Sequence, residues 1–144
     1  MKLVKVLLMG LALSAFAATA FAEDKAYKEG PVISMSFIKI KPGKFDDYMK
    51  FLDTSYKAIM EANKQAGLIL DYGVYSTEAR NPHEPDLILT TTYANMAALD
   101  RSDESDALAV KILGSMATMN QGAIDRGAMR EVLGSQLMRK LILK

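Results

Sequence analysis

The chain has 144 residues, with 18 basic and 17 acidic side chains, one histidine and no cysteine. Without cysteine, a disulfide framework and thiolate metal sites are excluded. The near balance of charge gives no support to a nucleic-acid partner, because proteins that bind nucleic acids usually carry a clear basic excess.

The first 22 residues have the three parts of a secretion signal. Lys2 and Lys5 form a positive start, residues 6–16 an apolar core, and residues 20–22 (AFA) a small-residue cleavage site. We therefore expect cleavage before Glu23 and a mature chain that is periplasmic or secreted, with no membrane attachment. The alternative is an uncleaved anchor, but polar and small residues dilute the apolar stretch and the A-x-A ending favours removal.

The mature chain has a size typical of one domain, about 120 residues, which is enough to bury a core without disulfides or metals. Residues 23–30 (EDKAYKEG) are polar and without periodicity, so they predict a flexible lead-in. The single folded domain is expected to cover residues 31–144.

Residues 32–40 (VISMSFIKI) predict a first strand, because β-branched and aromatic residues dominate them. The strand carries apolar side chains on both faces: Ile33, Met35 and Phe37 on one, and Ile38 and Ile40 beside Ser34 and Ser36 on the other.

After a turn at residues 41–44, apolar residues recur every three or four positions and predict a helix from Phe45 to about Ala66. Gly67 stands where a C-terminal cap belongs. Residues 68–76 and 87–93 then predict a hairpin, joined by a loop that contains Pro82 and Pro85.

In the last third of the chain, Asn95 is placed to cap a short helix, which a charged run separates from a longer one. Residues 123–133 favour a further helix, and residues 136–143 a final strand. The resulting order, βαββαβ, predicts an α+β ferredoxin-like domain with one antiparallel sheet and helices on one face. Because the strands are apolar on both faces, we expect a second copy to cover the other face in a homodimer.

Several segments resemble the dimeric α/β-barrel superfamily, which includes the antibiotic-biosynthesis-type monooxygenases. They are KPGKFDDYMKFL after the first strand, GLILDYGVYS, the proline-containing loop and LILTTTYANMAALD. The resemblance spans most of residues 32–143. It implies a barrel made by the sheets of two subunits, with any small-molecule pocket between each sheet and its own helices.

The resemblance does not extend to catalytic residues. Oxygenase members typically rely on a tryptophan, an asparagine and a histidine. This chain has no tryptophan, and residues 99–103 (LDRSD), where relatives often place a histidine, contain none. Common hydrolase, nucleotide-binding and zinc-protease motifs are also absent from the sequence. We therefore predict no cofactor and no metal, and assign no catalytic residue.

Candidate ligand contacts are polar groups on otherwise apolar elements, because such groups need partners when they are buried. They are Ser34, Ser36, Tyr48, Tyr72 and Tyr93. The competing interpretation is that the tyrosines simply pack in the core. His83, the only imidazole, could act as a base or ligand at a loop tip, although a solvent-facing histidine is commoner there. Met116, Met119, Met129 and Met138 could bind Cu(I), but methionine is more often core filler.

Two functions fit this sequence. The first is an exported homodimer that binds a small, partly apolar molecule between sheet and helices, with or without cofactor-free chemistry. The second is a non-enzymatic structural or protein-interaction homodimer whose core is filled. A cavity lined by Tyr48 and Tyr72 would favour the first.

Overall fold

The computed structural model describes residues 25–144, so the predicted signal segment and its cleavage site lie outside the described residues. The elements are β1 (Tyr27–Ile40), α1 (Phe45–Phe51), a π-helical turn (Leu52–Tyr56), α2 (Lys57–Gln65), β2 (Asp71–Ser76), β3 (Leu87–Tyr93), a 3₁₀ turn (Met96–Arg101), α3 (Ser102–Leu113), α4 (Met116–Met129) and β4 (Arg130–Leu143). Within residues 25–144, every helix falls short of the length and apolar character that a bilayer crossing requires.

The four strands form one sheet in the order β2-β3-β1-β4, and each neighbouring pair is antiparallel. The helices pack on one face of this sheet around a core of Ile38, Tyr48, Leu52 and Leu87. This is the ferredoxin-like arrangement, and the predicted fold class is confirmed.

The predicted faces of β1 are also confirmed. Val32 and Ile38 are almost completely buried, and Ile38 belongs to the core beneath the helices. Ile33 and Met35 line a groove on the opposite face, which we call the outer face. Since side chains alternate along a strand, Ser34 and Ser36 point to the same side as Val32 and Ile38.

β1 begins at Tyr27, before the predicted strand of residues 32–40, so residues 27–30 of the predicted lead-in belong to the sheet. Tyr27 pairs with Leu143 and Glu29 with Leu141, and the Glu29 carboxylate forms an ion pair with Arg139. The polar sequence gave no strand signal here. Its backbone is ordered because the long β4 supplies hydrogen-bonding partners up to the end of the sheet.

The first helical stretch runs without interruption from Phe45 to Gln65, as predicted, but contains the π-helical turn in its middle. Gly67 has φ +67°, the left-handed conformation of a helix cap, which glycine adopts without a steric penalty. Asn95 also acts as predicted, since its Oδ1 accepts a hydrogen bond from the Ala98 amide at 3.1 Å.

The last third of the chain differs from expectation at several boundaries. The charged run predicted as a break between helices is itself helical and forms the start of α3, and the helix predicted from residue 123 begins at Met116. α4 ends at Met129, so residues 130–133, predicted as helix, are the start of β4. The Met129 carbonyl accepts a hydrogen bond from the Lys41 amide at 3.0 Å, and the Gly127 carbonyl accepts one from Lys41 Nζ at 2.7 Å. The helix therefore passes into the strand with no intervening loop. The predicted strand at residues 136–143 is confirmed.

Candidate functional site

Two adjoining cavities lie on the helix-covered side of the sheet. The inner cavity, of about 240 Å³, lies between β3 and the helices, and the interhelical cavity, of about 380 Å³, is lined by helical residues alone. Phe51, Ile59, Leu113 and Arg126 line both. The remaining residues of the inner cavity are Tyr48, Tyr56, Met60, Leu89, Ala109, Met119 and Arg130.

Tyr48 forms part of the inner cavity wall and is completely buried. α1 presents it to the sheet, and its ring stacks on Phe51 with 5.8 Å between the ring centroids. Its hydroxyl is buried and has no hydrogen-bonding partner among the described residues. Burial raises the pKa of Tyr48, and the nearby Arg130 and Arg126 oppose that rise only in part. The phenol is therefore neutral at physiological pH.

Two arginines from the α4–β4 junction reach the same cavity. The Arg126 guanidinium lies 5.2 Å from the centroid of the Phe51 ring, and that of Arg130 lies 5.6 Å from the centroid of the Tyr48 ring. Arg130 Nε is buried without a hydrogen-bonding partner within residues 25–144. Burial lowers the pKa of Arg126, and the neighbouring Arg130 charge lowers it further. The wall is thus cationic as well as aromatic.

Tyr56 and Tyr72 touch each other and together line a shallow pocket of about 180 Å³. Their rings meet edge to face, with 5.9 Å between centroids, and only Tyr56 lines the inner cavity. Burial, reinforced by the neighbouring tyrosines, raises the pKa of Tyr56 to about 12. Tyr72 donates a hydrogen bond to Glu61 Oε1 at 2.7 Å, which raises the pKa of Tyr72 to about 12. The expected pairing of Tyr48 with Tyr72 in one cavity is therefore replaced by Tyr48 with Tyr56.

The other predicted contacts are dispersed. Tyr93 lines a separate cavity of about 130 Å³ with Thr91 and the buried Asn63. Ser34 and Ser36 face the helices but line neither the inner nor the interhelical cavity. His83 is exposed in the β2–β3 loop, where its amide donates a hydrogen bond to Asn81 Oδ1 at 3.0 Å.

The structure thus brings only Tyr48 of the predicted contacts to the inner cavity and adds Tyr56, Arg126 and Arg130. One sequence signal pointed toward the arginines: residues 107–144 carry six basic side chains against two acidic ones. Their spacing of four residues is also typical of neighbours on one helix face. Neither signal distinguishes a cavity wall from a solvated surface.

Within residues 25–144, no group of three or more histidine, cysteine, aspartate or glutamate side chains is arranged to hold a metal ion. The methionines do not converge either, because Met119 lines the inner cavity and Met138 the outer face.

Comparison with solved structures identifies similar folds at low sequence identity. HapK from Hahella chejuensis matches with a TM-score of 0.51 and 12% identity, over 76% of this chain and 91% of HapK. Protein SO0527 from Shewanella oneidensis matches with a TM-score of 0.51 and 12% identity, over 81% of this chain and 98% of that protein. A dimeric ferredoxin-like protein of unknown function from Bacteroides fragilis matches with a TM-score of 0.45 and 14% identity, over 79% and 97% of the two chains.

The chain shares the ferredoxin-like α+β fold with these proteins. No protein-family model matches the sequence, and no curated protein matches it. The inner cavity lies between the sheet and the helices of the same chain.

Proposed function

We propose that the mature chain is an exported homodimer that binds a small, partly apolar molecule in the inner cavity. The observation that carries this proposal is the cavity wall itself. It combines the aromatic rings of Tyr48, Phe51 and Tyr56 with polar groups that make no hydrogen bond within residues 25–144. Mostly apolar walls with a few convergent polar groups are typical of small-molecule sites.

The available space also supports a ligand. Small-molecule pockets usually measure roughly 300–1,000 Å³. The inner cavity alone is slightly smaller, at about 240 Å³, but it adjoins the interhelical cavity of about 380 Å³. A molecule with one or two rings would fit the inner cavity, and a longer one would extend past Phe51 and Arg126 into the space between the helices.

The proposed dimer rests on the outer face of the sheet. A groove of about 450 Å³ runs across it and is lined by Ile33, Met35, Tyr75, Ile88, Thr90, Thr92 and Met138. None of these side chains is charged, and no element within residues 25–144 covers them. A second copy of the same sheet would bury this face in a two-fold, self-complementary contact.

A purely structural homodimer is the less favoured function. Interiors are normally packed to high density, and filling a void with side chains stabilises a fold. A subunit that only assembles would gain from closing the inner cavity and from removing the unpaired Arg126 and Arg130. We assign no catalytic residue.

Native mass spectrometry of the protein purified from its own periplasm tests this proposal. We expect a chain that begins at Glu23, twice the subunit mass, and an additional small mass that is lost on denaturation. A monomer without any retained mass would contradict both the dimer and the ligand.

A second experiment isolates the cavity. Ala109 is buried and lines it, so Ala109→Phe should fill it. We expect this variant to bind the neutral fluorescent probe N-phenyl-1-naphthylamine at least tenfold more weakly, since a filled cavity excludes the rings. Ala123→Phe, at an exposed position of α4, is the matched control and should bind as the wild type does. If the wild type and both variants bound the probe equally well, the inner cavity would not be the binding site.

A further inference from the structure

We infer that the natural ligand is an anion, a small carboxylate with an apolar body, whose charged end lies between Arg126 and Arg130. This inference rests on the proposed function, because it specifies the chemistry of a molecule bound in the inner cavity. It depends on three features of the wall: unpaired cationic groups, buried polar atoms without partners, and the absence of acidic groups from the same wall.

Acidic groups within residues 25–144 compensate the two guanidinium groups only weakly, because the Asp125 charge raises the pKa of Arg126 by less than burial lowers it. Among the ion pairs within residues 25–144, none involves Arg126 or Arg130. Arginines that are half-buried side by side normally have carboxylate partners, because an unpaired charge loses hydration without compensation. Here each guanidinium lies over an aromatic ring instead, which offsets part of that cost but leaves its N–H donors available.

The buried atoms without partners belong to the same wall. Arg130 Nε and the Tyr48 hydroxyl are both buried and make no hydrogen bond among the described residues, but the Arg130 guanidinium lies close enough to the Tyr48 hydroxyl to lower its pKa. Both residues line the inner cavity. A carboxylate accepts hydrogen bonds at two oxygens, and guanidinium groups are well suited to donate to both. A carboxylate in the inner cavity would therefore accept hydrogen bonds from N–H groups of Arg126 and Arg130 that have no acceptor among the described residues.

The charge around the two cavities sets the orientation of the ligand. No aspartate or glutamate lines the inner cavity. The interhelical cavity contains Asp47 and Asp125, of which Asp47 is paired with Lys44 at 2.9 Å and Asp125 accepts a hydrogen bond from Gln121. Lys50 and Arg126 also line the interhelical cavity, so its acidic and basic side chains balance, whereas the inner cavity has basic side chains alone. A carboxylate is thus favoured at the inner cavity, with its apolar body along Tyr48, Phe51 and Tyr56.

The inference is tested with two probes of nearly the same shape, 2-naphthoate and its neutral amide 2-naphthamide, by isothermal titration calorimetry on the mature protein. We expect the carboxylate to bind roughly tenfold to hundredfold more tightly, as charge-assisted hydrogen bonds typically provide. Equal affinity for the two probes would overturn the anion inference while leaving the proposed cavity intact. Failure of both probes, together with N-phenyl-1-naphthylamine, to bind would instead overturn the proposed function.

Replacing the arginines distinguishes a binding role from a structural one. Arg126→Met should reduce the affinity for 2-naphthoate roughly tenfold and leave that for 2-naphthamide unchanged. Its melting temperature without ligand should be equal to or above that of the wild type, because the variant removes an uncompensated charge. A structural arginine would give the opposite result, a lower melting temperature with no preference between the probes.

Two further variants complete the test. Arg130→Lys keeps the charge but loses the planar donor geometry, and we expect it to retain the preference for the carboxylate at lower affinity. Lys140→Met removes an exposed charge from β4 that lines neither cavity, and should bind both probes as the wild type does. If Lys140→Met weakened 2-naphthoate binding as much as Arg126→Met, the effect would come from net charge and the inference would be wrong.

Discussion

The two faces of the sheet are built from the same strands but have opposite character. On the outer face, the groove residues are apolar side chains and threonines without a charge among them. On the helix-covered face, a core around Ile38 adjoins a cavity lined by two arginines that form no ion pair within residues 25–144. Because successive side chains of a strand point to opposite faces of the sheet, neighbouring residues of β1 and β3 contribute to these two different surfaces.

The difference shows that the two faces are suited to different occupants. An uncharged, open surface can be buried against an identical surface without desolvating any ion, which suits a symmetric contact. A cavity with unpaired donors is unfavourable when empty and is improved by a ligand that accepts hydrogen bonds. The following experiments test this contrast, beginning with the largest expected effect.

On the helix-covered face, the stability of the core should depend strongly on Tyr48, which is completely buried. We expect Tyr48→Ala to lower the free energy of unfolding by about 3–5 kcal/mol, because it leaves a large void in a fully buried site. Urea denaturation followed by circular dichroism measures this. A loss below about 1 kcal/mol would mean that the surrounding helices collapse into the void.

The outer face is tested by placing a charge on it. Met35→Asp should weaken dimerisation by roughly a hundredfold or more, because two-fold symmetry would bury two carboxylates without partners. Light scattering should report half the wild-type mass at micromolar concentration. Ala123→Asp introduces the same charge at an exposed position of α4 and should remain dimeric. If both variants remained dimeric, the dimer interface would not be on the outer face.

Asp86 immediately precedes β3 and is hydrogen-bonded to Ile40 at the end of β1. Its carboxylate accepts hydrogen bonds from the Ile40 amide at 2.7 Å and from Lys39 Nζ at 2.9 Å. Burial alone would raise the pKa of Asp86, but these two donors outweigh it and hold the pKa below its usual value. The stabilisation is therefore present above the unfolded-state pKa, near 3.9, and is lost as the pH falls through the lower folded-state value.

We expect Asp86→Asn to lower the free energy of unfolding by about 1–2 kcal/mol at pH 7, since charge-assisted hydrogen bonds are weakened. The difference from the wild type should shrink once the pH is well below about 4. Thermal unfolding across this range measures it. A difference that did not change with pH would mean that the Asp86 charge contributes nothing.

The smallest expected effect is that of Tyr48→Phe. The Tyr48 hydroxyl is buried without a partner among residues 25–144, so removing it should change the free energy of unfolding by less than about 0.5 kcal/mol or raise it slightly. The same variant should bind 2-naphthoate a few-fold more weakly if the hydroxyl donates to the ligand. A clear loss of stability would show that the hydroxyl has a partner in the folded protein.

The sequence predicted the fold and the separation of the two faces of β1 well. The alternation in VISMSFIKI separates Ile33 and Met35 from Ile38, and the structure follows that separation. Local chemistry also placed the caps at Gly67 and Asn95, because positive φ and an amide oxygen acceptor are properties of single residues.

The cavity wall could not be predicted in the same way. Arg130 was predicted to lie within a helix, and its approach to Tyr48 requires α4 to stop at Met129 and become a strand. That boundary is set by the pairing of β4 with β1, a contact between distant parts of the chain. Tyr72 and Tyr56 are alike in sequence character, and only the hydrogen bond to Glu61 and the packing of α2 decide which one faces the cavity.

The direct passage from α4 into β4 offers a way to monitor the site without a labelled ligand. The Lys41 amide donates a hydrogen bond to the carbonyl of Met129, the residue that precedes Arg130. Because α4 and β4 are joined without a flexible loop, a ligand that binds Arg130 should also make local unfolding of this junction slower. Amide hydrogen exchange at Lys41 would then report occupancy of a cavity that the Lys41 side chain does not line.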